Sequence, residues 1–197
     1  MIFRYPDYYE KFSCIAGACE DTCCVGWEID IDDKSYEYYK TVGGAFGEML
    51  RQNIKEYEND EEDAYESHGF ILKEGRRCPF LNENQLCVIY QELGEQALCD
   101  VCTDTPRDFL EYGGARELAL SASCPEAGRL IYRNKEKMKV VEKEISEPFP
   151  WKETEDEQVL ADEILFARNQ AITILQNRSI CVEERVCACC LLYTSPS

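Results

Sequence analysis

Residues 78–87 read Cys-Pro-Phe-Leu-Asn-Glu-Asn-Gln-Leu-Cys, and the stretch Cys99-Asp-Val-Cys102 follows closely along the chain. The polar turn Asn-Glu-Asn between apolar segments predicts two short extended pieces, each carrying one cysteine, and the second piece continues through Val88-Ile89-Tyr90. Two residues separate Cys99 from Cys102, which is a spacing typical of thiolates that share a metal ion. We therefore expect this part of the chain to fold around an inorganic centre held by its sulfur atoms.

The cysteines nearer the N-terminus extend this pattern. A second group reads Cys14-x4-Cys19-x3-Cys23-Cys24, and a single cysteine stands directly before Pro125. The sequence holds 13 cysteines and shows no secretory signal at its start, a combination that favours metal ligands in a reducing compartment over disulfides. The candidate metal ligands are therefore Cys14, Cys19, Cys23, Cys24, Cys78, Cys87, Cys99, Cys102 and Cys124.

The kind of metal follows from the ligand type and spacing. Thiolates are soft ligands that select iron–sulfur clusters, zinc or Cu(I). The sequence has one histidine, His68, which we expect to be exposed in an acidic loop and not to be a ligand. Because only Cys99 and Cys102 have the spacing of a zinc-binding pair, the pattern favours an iron–sulfur cluster. We expect this cluster to be of the 4Fe-4S type. Zinc, a second metal site and a disulfide framework are the alternatives that spacing leaves open.

Composition and charge exclude several classes of partner. The chain has 197 residues, of which 45% are hydrophobic, so it can bury a core. Its formal net charge of −18 disfavours binding to nucleic acid, which is itself polyanionic. No apolar stretch approaches the roughly 18 residues of a membrane-spanning helix. We expect a cytoplasmic protein without membrane insertion.

The predicted fold class is α+β. Residues 1–135 are expected to form a small, irregular, cysteine-rich domain centred on metal, with short hairpins and several helices. Residues 136–157 are charged and contain two prolines, which predicts a linker. Residues 158–180 are predicted to form the first helix of a truncated helical domain, and residues 181–197 an atypical tail of foreign character. The four cysteines of that tail are left out of the site.

Local signals predict several elements. Alternation over residues 27–31 predicts a strand, and Asp32 or Asp33 can cap a helix over residues 34–58 that is interrupted at Gly43-Gly44. The acidic run over residues 56–68 reads as a solvated loop. Further predictions are a hairpin around Gly113-Gly114, a helix over 125–133 and an amphipathic helix over 159–176, whose apolar stripe is Leu160, Ile164, Leu165, Ala171, Ile172 and Leu175.

Four motifs together carry a resemblance to a known family. They are the segments Phe12–Trp27, Arg77–Tyr90, Leu98–Arg107 and Leu120–Glu126, each built around its cysteines. In this order they resemble the flagellin lysine-N-methylase family over roughly residues 3–180. The Cys-Pro-Phe-Leu segment is also similar to the broader family of zinc- or iron-chelating cysteine-cluster domains.

The resemblance implies a bacterial cytoplasmic enzyme. It implies methylation of lysine side chains on flagellin, S-adenosylmethionine as methyl donor, an iron–sulfur cluster and a chain about twice this length. A polar methyl transfer is favoured over radical chemistry, because the sequence lacks the Cys-x3-Cys-x2-Cys spacing. The alternative is a non-enzymatic module that binds iron or zinc, since no catalytic base is identifiable.

Two further residues are candidates for donor binding. Arg107 could pair with the carboxylate of the methyl donor, and its alternative role is a structural salt bridge. Trp27 could contact a sulfonium or lysine cation, and its alternative role is that of a core aromatic beside the cluster. The sequence assigns no catalytic residue.

Overall fold

A computed structural model describes residues 1–57 and 66–194 and has mixed α+β structure, which confirms the predicted fold class. Residues 58–65, in the predicted acidic loop, and residues 195–197, in the predicted tail, lie outside the described residues. The strands are β1 (Ile2–Pro6), β2 (Asp30–Ile31), β3 (Ile54–Glu56), β4 (His68–Phe70), β5 (Arg107–Tyr112), β6 (Ala115–Leu120) and β7 (Val140–Glu144). The helices are α1 (Asp33–Thr41), α2 (Gly44–Gln52), α3 (Val88–Leu93), α4 (Asp100–Asp104), α5 (Pro125–Arg133), α6 (Glu155–Leu175) and α7 (Val182–Thr194).

The chain divides into two compact units. The cysteine unit comprises Glu10–Asp108 and Leu120–Arg133, and it contains all nine candidate ligands. The sheet unit comprises Met1–Tyr9, Phe109–Ala119 and Asn134–Ser197. The predicted domains are continuous stretches of sequence that end at residues 135 and 157. Each unit of the structure is instead assembled from separate segments of the chain.

The cysteine unit surrounds a core in which thiols lie among apolar side chains. Its three strands form an antiparallel sheet in the order β2-β4-β3, in which Asp30 pairs with Gly69 and Ile54 with Phe70. The core cluster of buried residues is Ile29, Ile31, Tyr39, Leu50, Phe70, Cys78, Phe80, Leu81, Ile89, Ala97 and Cys99.

The sheet unit is more regular. Its strands lie in the order β5-β6-β1-β7, with β1 parallel to β6 and antiparallel to β7. Gly113 and Gly114 have φ angles of +57° and +66° and form the predicted hairpin turn, since this left-handed region favours glycine. A Cβ at Gly113 would lie 3.1 Å from Cβ of Ala161, so α6 approaches this turn closely.

Two predictions in the cysteine unit are partly wrong. The helix expected over residues 34–58 is two helices, α1 and α2, and its last residues instead form β3 by pairing with β4. Gly44, with a φ angle of +70°, starts the second helix and explains the break. Residues 88–90 were expected to be extended but begin α3, because an apolar run this short has no period that separates strand from helix.

The sheet unit differs from its prediction in the linker. Residues 140–144 of the predicted linker form β7, whose five residues all pair with β1. In the predicted stripe of α6, Ala171 is buried, whereas Leu160 and Ile164 are about half exposed. Within the predicted tail, residues Val182–Thr194 form helix α7. In the described part of the chain, every helix is too short or too polar to cross a membrane.

Candidate metal centre

Backbone hydrogen bonds bring the first and second cysteine groups together. The N–H of Cys78 donates to the carbonyl of Cys24 over 2.8 Å, and Val25 and Arg77 form an antiparallel bridge next to it. Another bridge joins Leu81 to Cys87, where α3 begins. Residues far apart in sequence are therefore held side by side by main-chain contacts that do not depend on a metal.

Two pairs of thiols are in direct hydrogen-bond contact. The bond between Cys23 and Cys24 raises the pKa of the first thiol and lowers the pKa of the second. The bond between Cys99 and Cys102 likewise lowers the pKa of Cys99 and raises that of Cys102. One thiol of each pair is thus the readier to become a thiolate, which is the form that binds metals.

Charge interactions connect these pairs to two further thiols. Cys24 interacts with Cys78 and Cys87, and Cys102 interacts with Cys24 and Cys78. Burial raises the pKa of Cys78 to about 11, since removal from water disfavours the thiolate. Cys78 and Cys99 belong to the buried core, Cys24, Cys87 and Cys102 pack against it, and Cys23 bonds to Cys24. We call these six residues the six-thiol cluster.

The six-thiol cluster offers the soft sulfur ligands that a thiophilic metal prefers. Each of the nine candidate cysteines is a free thiol, and gathered thiolates repel one another unless a cation lies among them. Within residues 1–57 and 66–194, no three cysteine, histidine or acidic side chains stand close enough to hold one ion together. A metal ion or cluster would therefore have to draw thiols of different pairs closer.

The other three candidate ligands lie outside the six-thiol cluster. Cys14 is exposed, and its sulfur accepts a hydrogen bond from the N–H of Ala16 over 3.4 Å. Cys19 and Cys124 are half-buried. Arg129 of α5 bonds both to Glu20 and to Glu126, so it ties the loop of Cys19 to the helix that Cys124 precedes.

The two candidate donor-binding residues have local partners. The indole N–H of Trp27 donates to the carbonyl of Cys23 over 2.8 Å and closes the turn between them. The guanidinium of Arg107 lies 5.3 Å from the ring centroid of Phe12 and donates to the carbonyl of Thr103 over 3.4 Å. Both side chains lie next to cysteine-bearing segments, and their role in donor binding stays a prediction.

His68 differs from its sequence expectation. It lies in β4, is half-buried and stacks on Tyr36 with ring centroids 3.6 Å apart. The acidic residues around it favoured a solvated loop, but the pairing of β4 with β2 and β3 orders this position.

Sequence reasoning missed two contacts with the segment around Cys99, one from Tyr39 of α1 and one from Asp32, which precedes this helix. Tyr39 is fully buried, and its hydroxyl lies 2.7 Å from the carbonyl of Ala97 and 3.2 Å from the sulfur of Cys99. Asp32 accepts a hydrogen bond from the N–H of Asp100 over 2.9 Å. The helical spacing of Tyr39 identified it only as a core residue, because its polar contact lies about 60 positions away.

Comparison with known proteins gives three informative matches. The chain is 29% identical over 151 residues to the lysine-N-methylases of Salmonella typhimurium and Salmonella choleraesuis, covering 71% of this chain and 35% of each of theirs. It is 31% identical over 142 residues to the flagellar biosynthetic protein FliU of Salmonella muenchen, covering 70% of this chain and 81% of that protein. The chain thus spans about a third of the length of the two lysine-N-methylases. No family model and no solved structure matches it.

Proposed function

Because the chain belongs to the flagellin lysine-N-methylase family, we propose that it takes part in transferring methyl groups from S-adenosylmethionine to lysine side chains of flagellin. The observation that carries this proposal is the match to FliU, which extends over most of that protein at 31% identity. The reaction would take place in the cytoplasm, before flagellin is exported.

The transfer needs a neutral amine and a defined line of attack. The lone pair of lysine Nζ forms a bond to the methyl carbon, the bond from that carbon to sulfur breaks, and the electron pair stays on sulfur. The nitrogen also releases a proton, so a site must desolvate the lysine or offer a base. The net charge of −18 would attract a lysine-bearing substrate without specifying the lysine.

We assign the metal role to the six-thiol cluster. Its thiols would hold an iron–sulfur cluster, or zinc as the second choice, and the bound group would supply ligation energy that stabilises the cysteine unit. The methyl transfer itself needs no electron from iron. Cys14, Cys19 and Cys124 remain candidates for a second site, and the contacts of Arg129 hold the segments of Cys19 and Cys124 together.

For the methyl donor, we retain Arg107 and Trp27 as candidate contacts. The guanidinium of Arg107 is planar and can pair with a carboxylate in two-pronged fashion while its face remains on Phe12. Trp27 has its indole nitrogen engaged with Cys23, and an indole ring can contact a cation through its face.

Methylation and donor binding are measured on the same anaerobically prepared chain. With S-adenosylmethionine and purified flagellin, we expect tryptic peptides of flagellin whose lysines gain one methyl group, and none when S-adenosylhomocysteine replaces the donor. Calorimetry with S-adenosylmethionine alone measures binding of the donor separately from methylation. Absence of both binding and methylation would contradict the proposal for this chain.

A second candidate function is a non-enzymatic metal-binding module. Thiols are metal ligands, and the six-thiol cluster brings such side chains together. His68, which could act as a base, is stacked against Tyr36. Both observations favour this function. This function predicts tight binding of iron or zinc together with no measurable affinity for S-adenosylmethionine. Micromolar affinity for the donor would exclude it.

A further inference from the structure

Helix α1 contacts the segment that carries Cys99 at two points along its length. Its first contact is made by Asp32, directly before the helix, and its second by Tyr39, two turns later. Both side chains reach the four residues from Ala97 to Asp100, which include Cys99 and the first residue of α4. One rigid element therefore defines the position of this segment.

Asp32 serves two helices at once. One carboxylate oxygen accepts from the N–H of Ser35 over 2.9 Å and caps α1, and the other accepts from the N–H of Asp100 over 2.9 Å. Cys99, which precedes α4, makes no capping hydrogen bond with its own side chain. Asp32 thus supplies from a distance the acceptor that the first turn of α4 lacks locally.

Tyr39 holds the same segment from the core side. Its ring is buried against Phe70, with centroids 6.1 Å apart, and its hydroxyl lies within hydrogen-bond distance of both Ala97 and Cys99. A phenol so placed fixes the backbone through the carbonyl and offers a hydrogen-bond partner to the sulfur. Hydrogen bonds to ligand sulfurs orient them and tune the bound metal.

We propose that Asp32 and Tyr39 are positioning residues that hold Cys99 and Cys102 in place before metal binds, and that Tyr39 then tunes the metal through the sulfur of Cys99. Cys99 and Cys102 would then be the first thiols of the six-thiol cluster to bind metal. The tuning role rests on the metal role proposed above, whereas the positioning role does not.

The positioning role is tested on the metal-free chain by amide hydrogen exchange. Tyr39→Phe and Asp32→Ala are compared with Tyr38→Phe and Asp33→Ala, which alter exposed neighbours on the same helix. Exchange over residues 98–104 should become at least about 10-fold faster in the first two variants and stay unchanged in the controls. Unchanged exchange in Tyr39→Phe and Asp32→Ala would overturn the positioning role, whatever metal the protein binds.

The tuning role is tested with Co²⁺ alone, whose charge-transfer absorption reports bound thiolates. Tyr39→Phe should shift this absorption and weaken Co²⁺ binding about 10- to 100-fold, while Tyr38→Phe should match the parent chain. Asp32→Asn keeps one of the two carboxylate acceptors, so its affinity should fall between that of Asp32→Ala and the parent. A Tyr39→Phe spectrum identical to the parent, or a parent chain that binds no Co²⁺, would overturn the tuning role.

Discussion

The sheet unit joins strands of five and six residues, whereas the strands of the cysteine unit have only two or three. The sheet unit also has a helix of 21 residues whose first turn is capped by Thr154 and Glu157 in a reciprocal capping box. The cysteine unit compensates with a core of aromatic and thiol side chains and with hydrogen bonds between remote segments.

This difference separates two sources of stability. Regular hydrogen-bonded structure and apolar burial stabilise the sheet unit and need no bound group. Short strands and long loops bury less surface per residue, so a unit of this kind gains most from cross-links such as metal–thiolate bonds. The stability of the cysteine unit should therefore depend on metal, whereas that of the sheet unit should not.

The largest expected effect is that of metal removal. Ligation energy becomes folding energy and is on the order of 10 kcal/mol for structural metal sites. After anaerobic chelation, hydrogen exchange should lose protection in α3 and over residues 78–87, while α1 and α4, which Asp32 and Tyr39 connect without metal, and β1 and β6 keep theirs. Equal loss of protection in both units, or no loss in either, would remove the contrast.

A core truncation should have the next largest effect. Phe70 is buried and contacts Phe80 edge-to-face, with centroids 5.1 Å apart. Phe70→Ala should lower the free energy of unfolding of the cysteine unit by about 3–5 kcal/mol, measured by denaturant unfolding. Phe166→Ala, which alters an exposed ring on α6, is the control and should stay within about 0.5 kcal/mol. Similar losses in the two variants would show that the aromatic core does not stabilise the unit.

An ion pair provides the matching test in the sheet unit. Arg168 of α6 bonds to Glu117 of β6, and both side chains are about four-fifths buried. In Arg168→Met the carboxylate of Glu117 keeps the hydrogen bond from the hydroxyl of Tyr112. The free energy of unfolding, measured with denaturant, should fall by about 1–2 kcal/mol because the partly buried carboxylate loses its cation. Arg178→Met, which removes hydrogen bonds to exposed backbone carbonyls, is the control. The account fails here if exchange in the cysteine unit responds more strongly than exchange in β6.

The smallest expected effect is a loss of stability at the first turn of α6 as the pH falls. The N–H and hydroxyl of Thr154 donate to Glu157 and hold the pKa of its carboxyl below the ordinary value. This contribution is therefore complete above the unfolded-state pKa and is lost as the pH falls through the lower folded-state pKa. Helicity of Glu157→Gln should differ from the parent at about pH 6 and converge with it near pH 3. A constant difference across this range would show that the carboxylate charge plays no part.

The sequence predicted those elements whose formation depends on neighbouring residues. The capping role of Asp32, the turn at Gly113-Gly114 and the helix Pro125–Arg133 each depend on residues within one or two turns, and all three are confirmed. The sequence predicted nine cysteines as metal ligands from their side-chain chemistry, and this assignment stays a prediction.

Contacts between remote segments could not be predicted in the same way. Strand β7 is charged and polar, and its partner β1 lies more than 130 residues away, so no local pattern marks it as a strand. The contact of Tyr39 with Cys99 likewise joins residues that only the folded chain brings together. The division between the six-thiol cluster and the other three cysteines depends on such remote contacts as well.

Elemental analysis tests the central assignment most directly. The chain purified without oxygen should contain iron and acid-labile sulfide in fixed proportion to protein, with a sulfur-to-iron absorption band, and Cys99→Ser should lose both. Cys187→Ser, which alters an exposed cysteine of α7, should retain them. A parent chain that contains neither iron nor zinc after this purification, or one whose clustered thiols are joined by disulfides, would contradict the account.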